Sequence, residues 1–140
     1  MPPPSHITIA NCGGFWGDDP TAARRQVEGG PIDFLVMDYL AEVTMSILAG
    51  ARLKNRELGY ATDFVKSIGP LLKEIKEKKI KLISNAGGIN VEACQSSIKE
   101  VAEKAGVTLK VAVVKGDDLS TKELDVQEME TGKPLPKDLL

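Results

Sequence analysis

Residues Ile32 to Tyr39 read IDFLVMDY, and the fold class can be inferred from this segment. Its apolar residues run without interruption between Asp33 and Asp38, which is typical of a parallel strand that is covered on both faces. Parallel strands are joined by long crossover connections, which are usually helices. The stretch therefore predicts an α/β domain in which strands and helices alternate along the chain.

The flanking segments supply the alternating elements. Further strands are predicted at His6–Cys12, Lys81–Ser84 and Lys110–Val114, and helices at Pro20–Glu28, Ala41–Asn55, Asp63–Lys79 (interrupted at Gly69-Pro70) and Val91–Ala105, capped by Asn90. The pattern favours a three-layer, Rossmann-like or flavodoxin-like fold with an open, mostly parallel four-stranded sheet and helices on both faces. We expect the strand order 2-1-3-4. One domain is predicted over residues 5–118, with an acidic, weakly structured tail or linker over 119–140.

Composition limits the class of protein. Of the 140 residues, 42% are hydrophobic and 27% are charged, which is typical of a globular domain. The chain contains no apolar run of the roughly 20 residues that a membrane span needs and no targeting segment at its start. We therefore expect a cytoplasmic protein without a membrane partner.

Charge, aromatic content and cysteine content limit which ligands and partners are expected. The stretch Arg52–Lys81 holds nine basic and four acidic residues, so one face could attract anions, although its densest part is explained as a solvated helix face. With only 4% aromatic residues, nucleic-acid binding is not expected. Cys12, Cys94 and the single His6 lie too far apart for a tetrahedral zinc site, so we predict free thiols and assign no metal ligand.

Four polar or glycine-rich segments follow the predicted strands, where open parallel sheets bind their ligands. In the order 2-1-3-4, the two Gly-Gly loops are neighbours at the point where the strand order reverses. Their backbone amides, with the start of a helix, would favour phosphate or carboxylate. The expected ligand contacts are Asn11, Cys12, Gly13, Gly14, Asp38, Tyr39, Asn85, Ala86, Gly87, Gly88, Asn90, Gly116, Asp117 and Asp118.

Several members of this set have a second interpretation. Asp38 and Asp117 are the acid–base candidates. Together with Asp118 they could instead bind a divalent cation, and a cap or a loop hydrogen bond explains an aspartate there equally well. The glycines are also explained by tight turns, and Cys12 by packing in the core. The adjacent Phe15 and Trp16 either cover a ligand or pack beneath their own loop.

The helix predicted at Ala41–Asn55 is apolar nearly all the way round. Such a helix is buried on several sides, and one small domain cannot easily cover it. We therefore expect a homo-oligomer or a further carboxyl-terminal domain. The same feature supports a second hypothesis, a non-catalytic interaction or oligomerisation module.

Four different short motifs lie at the ends of the predicted strands. The two most specific are DYLAE at Asp38–Glu42 and SNAGG at Ser84–Gly88, and the others are NCGGFWGD at Asn11–Asp18 and GDD at Gly116–Asp118. In this order they resemble the amino-terminal portion of the acyclic terpene utilisation (AtuA-like) family. The resemblance implies a cytosolic protein that acts in the breakdown of branched acyl-CoA or acyclic terpenoid compounds, with a coenzyme A thioester as a candidate ligand. It assigns neither a reaction nor a catalytic residue.

Overall fold

A computed structural model describes residues 6–119 and 127–134 of the chain. Its elements are β1 (Ile9–Asn11), α1 (Ala22–Gly29), β2 (Phe34–Met37), α2 (Glu42–Lys54), α3 (Thr62–Ile68), α4 (Leu72–Glu77), β3 (Lys81–Ser84) and α5 (Val91–Lys104). A 3-10 turn at Gly69–Leu71 separates α3 from α4, which confirms the predicted interruption. Within the described ranges, no helix is long and apolar enough to cross a membrane.

Three parallel strands form the sheet in the order β1-β2-β3. Asp33, just before β2, ties the three strands together at their starts. Its carboxylate accepts a hydrogen bond from the Thr8 N–H at 2.7 Å, and its carbonyl accepts one from the Lys81 N–H at 2.9 Å. The central strand is β2, which is also the most apolar of the three, and its Leu35 is fully buried.

The predicted strand order 2-1-3-4 is wrong. The short connection through α1 places β2 directly beside β1, and β3 then adds to the far side of β2. The strand order never reverses among these three strands. The loops that follow β1 and β3 therefore flank the end of β2 and are not adjacent to each other.

The predicted fourth strand at Lys110–Val114 is not formed in the described sheet. This segment runs back beside α5, where Gln95 Nε2 donates to the Val111 carbonyl at 2.7 Å. Two residues before the segment, Lys76 Nζ donates to the Thr108 carbonyl at 3.1 Å. Its β-branched composition favours a strand, but strand propensity depends on context. Here the backbone carbonyls are held by side chains of neighbouring helices.

One face of the sheet is covered by helices and the other is largely open. On the open face, Ile9 and Ile83 are 60% and 53% exposed, and Phe34 and Val36 of the central strand are half-buried. Helices on both faces were predicted. In the order 1-2-3, successive right-handed crossovers place their helices on the same face, which explains why the second layer is not found over these residues.

Helix α2 is only partly covered by this domain. Thr44 and Leu48 are buried, whereas Val43 and Ile47 are 71% and 53% exposed. The structure thus agrees with the expectation that the domain cannot cover this helix on every side.

Little of the predicted tail is described. Residues 120–126 and 135–140 lie outside the described residues, and 127–134 form a turn closed by an antiparallel bridge between Gln127 and Pro134. The proposed domain boundary near residue 118 therefore stays a prediction.

Two helix ends share a hydrogen-bond pattern but differ in the residue at the left-handed position. After α4, the Ile80 N–H donates to the Ile75 carbonyl at 3.0 Å, around Lys79 with φ 58°. Helix α5 ends in the same way around Gly106, with φ 69°. This pattern normally takes glycine, because other residues are strained there.

We predict that Lys79→Gly raises the free energy of unfolding by about 1 kcal/mol, because it removes most of this strain. The reverse change, Gly106→Lys, should lower it by about as much, since open space surrounds Gly106 and no clash adds to the strain. Urea denaturation followed by circular dichroism measures both. A loss of stability in Lys79→Gly would contradict the argument.

Candidate functional site

A hydrogen-bonded pair, Asp38 and Asn85, joins the ends of β2 and β3. Asn85 Nδ2 donates to Asp38 Oδ1 at 2.6 Å, and Asn85 Oδ1 accepts from the Tyr39 N–H at 2.8 Å. One residue earlier, Ser84 Oγ donates to the Met37 carbonyl at 2.8 Å. These contacts continue the pairing of the two strands beyond their last residues. They hold the Asp38 carboxylate at the carboxyl edge of the sheet, which we call the rim.

Asp38 is exposed, and hydrogen bonds from Asn85 and from the Leu40 N–H lower the pKa of its carboxyl group. The group is therefore ionised at neutral pH, where it can orient a ligand or accept a proton but has none to donate. Asp117, the other acid–base candidate, is exposed and makes no hydrogen bond to Asp38 or Asn85 in the described part of the chain. Of the two aspartates, only Asp38 is held in place by hydrogen bonds to the neighbouring strand end.

The loop after β1 closes on itself. The Gly14 N–H, which was expected to hold an anion, donates to the Asp18 carboxylate at 3.0 Å. Gly13 has a φ of 79°, and a Cβ there would lie 3.5 Å from the Asp38 carbonyl oxygen. The loop therefore passes close to the end of β2, but its Gly14 amide is already bound to a carboxylate.

The loop after β3 packs tightly against other backbone. A Cβ on Gly88, where φ is 52°, would lie 2.7 Å from the Gly59 carbonyl oxygen and 2.5 Å from Leu48 Cδ1. The Gly88 N–H donates to the Asn85 carbonyl at 3.1 Å. Gly88 is thus explained by close packing and a tight turn. The neighbouring Gly87 N–H makes no hydrogen bond among the described residues, so it stays available in the proposed site.

Asn90 has a structural role. Its Oδ1 accepts from the Ala93 N–H at 3.4 Å, which confirms the predicted cap of α5. Its Nδ2 donates to the carbonyls of Arg56 and Leu58, at 2.8 and 2.7 Å. Because both amide hydrogens are used, Asn90 has no donor left for a ligand, and we omit it from the proposed site.

The remaining expected contacts are dispersed. Asn11 lies on the open face of the sheet, and Ala86 is fully buried. Gly116 and Asp118 are exposed and follow Lys115, whose ammonium group contacts the Glu92 carboxylate at the start of α5. This ion pair brings the fourth segment near the rim.

Both cysteines are buried free thiols. Burial raises the pKa of Cys12, with a smaller opposing effect of Arg25, and burial raises the pKa of Cys94 to about 11. Both groups are therefore protonated at neutral pH. The packing interpretation of Cys12 accounts for its thiol better than a nucleophilic role does.

The Cys94 thiol makes stability depend on alkaline pH. Its pKa is 9.0 in an ordinary environment and about 11 in the folded chain. Between these values the folded protein keeps a proton that the unfolded chain releases, so the free energy of unfolding falls as pH rises, by up to about 1.4 kcal/mol per unit. We predict a smaller fall in Cys94→Ala. Equal slopes in urea denaturation across this pH range would contradict the assignment.

A small cavity lies beneath the loop after β1. It measures about 10 Å³, room for about one water molecule. Tyr39, only 6% exposed, lines it with Ser67, which hydrogen-bonds the Tyr39 hydroxyl. Burial, and then the charge of Asp63, raise the pKa of Tyr39 to about 12. The hydroxyl is therefore a neutral hydrogen-bonding group at the cavity wall.

Charge divides the rim into two halves. Asp18 and Asp63 line the cavity on the β1 side, together with Asp19. On the β3 side, the Arg52 guanidinium donates to a carbonyl of the loop after β3, and Lys115 lies at the start of α5. The Lys115 charge is paired with Glu92, so the Arg52 guanidinium is the group on the β3 side that can attract an anion. On the β1 side Asp19 is paired with Arg25, and Asp18 and Asp63 disfavour an anion there.

Sequence reasoning missed three residues of this arrangement. Arg52 lies in the base-rich stretch, but no pattern placed it at the loop after β3. Asp63 and Ser67 are four residues apart in α3 and so share one helix face. That spacing was a usable signal.

A larger depression lies elsewhere. It measures about 400 Å³ and is formed by the last turns of α5 and residues 106–109. Helix α5 starts at the rim, and its 14 residues carry the chain about 20 Å away from it. The depression is lined by Lys99 and Glu103 with mostly apolar neighbours. We place the candidate site at the rim, because polar groups from separate strands converge there. Among residues 6–119 and 127–134, no group of three or more His, Cys, Asp or Glu side chains is placed to hold a metal ion.

Comparison with known proteins gives one family match. A family model described as acyclic terpene utilisation family protein AtuA matches residues 7–138. Neither the curated proteins nor the solved structures give a significant match. The family match covers all the strand-end segments that form the rim.

Proposed function

Because the chain belongs to the acyclic terpene utilisation (AtuA) family, we propose that it binds an acyl-CoA, or another metabolite with phosphate or carboxylate groups, at the rim. The pathway that we propose is the cytoplasmic breakdown of branched acyl-CoA or acyclic terpenoid compounds. The observation that carries the site is the Asp38–Asn85 pair, which fixes a carboxylate at the edge of a parallel sheet.

The anionic part of this ligand is assigned to the β3 side of the rim. Arg52 supplies positive charge there, and Lys115 balances the Glu92 carboxylate at the start of α5. The first backbone amides of α5 add a partial positive charge, since a helix leaves its first N–H groups without partners inside the helix. Of the glycines whose backbone N–H groups were expected to bind the anion, we keep only Gly87 in the proposed site.

Asp38 is the reacting or orienting group of the proposed site. As a carboxylate it can accept a hydrogen bond or a proton from a ligand, and Asn85 keeps it in place. We assign no reaction, because a carboxylate at this position suits both catalysis and binding.

Calorimetric titration with coenzyme A tests the proposal. We expect saturable binding, weakened about two- to fivefold in Lys115→Gln, which is the size of an exposed charge contact. The matched control is Lys99→Gln, an exposed lysine at the distant depression, which should bind coenzyme A like the unaltered protein. Absence of binding, or equal weakening by both variants, would overturn the proposal.

We also propose that the exposed apolar surface is covered in an assembly, by a second copy or a further domain. The exposed apolar residues lie at two places, Val43 and Ile47 on α2 and Ile9 and Ile83 on the open face of the sheet. The hypothesis of a non-catalytic module uses α2, and nothing described favours it over ligand binding. Gel filtration with and without coenzyme A separates them: an oligomer that binds no coenzyme A would favour the module.

A further inference from the structure

Resting on the proposed function, we infer that the apolar part of the ligand enters the cavity beneath the loop after β1, and that Phe15 is its cover. The two aromatic residues of this loop have different surroundings. Trp16 packs against the core, whereas Phe15 is 54% exposed at the cavity and lines it. An exposed phenyl ring next to a cavity is unfavourable in water and would be stabilised by contact with an apolar ligand.

The lining of the cavity indicates which part of a ligand it accepts. Met37, Ala22, Ala23 and Pro20 provide apolar surface around the Tyr39 hydroxyl. This combination suits a neutral chain that carries at most a single hydrogen-bonding group, such as a carbonyl.

The carboxylates at the cavity disfavour anionic groups of a ligand. Asp18 accepts from the Gly14 N–H and Asp63 accepts from the Gly17 N–H, each at 3.0 Å, so both are held at the wall. A ligand group with its own negative charge would be repelled there. The inferred ligand therefore carries a neutral acyl group in this cavity and keeps its anionic groups on the β3 side of the rim.

Entry requires the cover to move. The cavity of about 10 Å³ holds no acyl chain until Phe15 changes its position. Gly13 and Gly17 flank this part of the loop with φ values of 79° and 91°, which are accessible to glycine at little cost. The Gly17 N–H donates to the Asp63 carboxylate and so links the loop to α3. We expect Gly17 to stay in place while the part of the loop that carries Phe15 moves.

The test compares two four-carbon acyl groups of different charge. The chain of 140 residues is titrated calorimetrically with coenzyme A, butyryl-CoA and succinyl-CoA. We expect butyryl-CoA to bind about tenfold more tightly than coenzyme A, as burial of two or three methylenes allows, and succinyl-CoA to gain nothing. Phe15→Ala should remove the advantage of butyryl-CoA without changing the affinity for coenzyme A, and Phe15→Leu should keep most of it.

The outcomes separate the two proposals. Equal affinities for coenzyme A and butyryl-CoA, or an advantage that survives Phe15→Ala, would overturn the inference and leave the proposed function intact. Absence of coenzyme A binding would overturn both. Asp63→Asn provides a second variant: if charge excludes succinyl-CoA, this change should reduce the discrimination against it, and unchanged discrimination would contradict the charge argument.

Discussion

Gly88→Ala is expected to lower the free energy of unfolding by about 3–5 kcal/mol, from left-handed strain together with overlap in a packed region. The added methyl group would lie 2.7 Å from the Gly59 carbonyl oxygen and 2.5 Å from Leu48 Cδ1. The first neighbour is backbone and cannot turn aside as a side chain can. The Ile89 N–H also donates to the same Gly59 carbonyl at 3.0 Å, so relief of the overlap would disturb the contact between two loops.

The control for this change is Gly50→Ala. Gly50 lies inside α2, and a Cβ there would meet nothing within 4 Å. Alanine should therefore stabilise the helix by about 0.5–1 kcal/mol. Urea denaturation of the three proteins gives both values. A loss below about 1 kcal/mol in Gly88→Ala, the cost of left-handed strain alone, would show that the loop after β3 is not packed as described.

Asn90→Asp is expected to destabilise the protein by about 2–4 kcal/mol at neutral pH, because it replaces two buried donors by an ionised acceptor. The new carboxylate would keep the cap of α5 but would face the carbonyls of Arg56 and Leu58. Protonation at acidic pH restores one donor, so the difference from the unaltered protein should shrink as pH falls.

Asn55→Asp is the matched control. Asn55 is exposed, and its side-chain oxygen accepts from the Glu57 N–H at 3.0 Å, a bond that aspartate can also make. We expect a change within about 0.5 kcal/mol, as for most surface substitutions. Thermal and urea denaturation at neutral and acidic pH measure both variants. Similar losses at Asn55 and Asn90, or a loss at Asn90 that grows in acid, would refute the structural role of the Asn90 amide.

The sequence was most informative where one local pattern determines one element. The apolar stretch at Ile32–Tyr39 predicted β2, and Asn90 followed by an apolar stripe predicted α5 and its cap. Strand order is a different kind of information, since it depends on which edge each strand joins. A usable signal was present: Asn11 and Lys81 are polar residues in β1 and β3 and mark these strands as edges, which leaves β2 at the centre.

The sequence placed Asp38 and Asn85 at the same edge of the sheet, because both follow parallel strands. Their direct hydrogen bond was not predicted, since the expected order 2-1-3-4 put β1 between their strands. Their role in a ligand site stays a prediction. The sequence did not reveal that Asp18 occupies the Gly14 amide, because such hydrogen bonds depend on loop geometry. Glycine-rich sequence alone does not distinguish an open cradle from a packed turn, and Gly88 is an example of the second.

Assignment of the ligand to the rim is tested most directly by mapping coenzyme A onto the chain through backbone amide chemical shifts in nuclear magnetic resonance. We predict saturable changes concentrated at 38–40, 85–92 and 115–116. Changes concentrated instead at 99–109, around the large depression at the end of α5, or the absence of any saturable change, would contradict it.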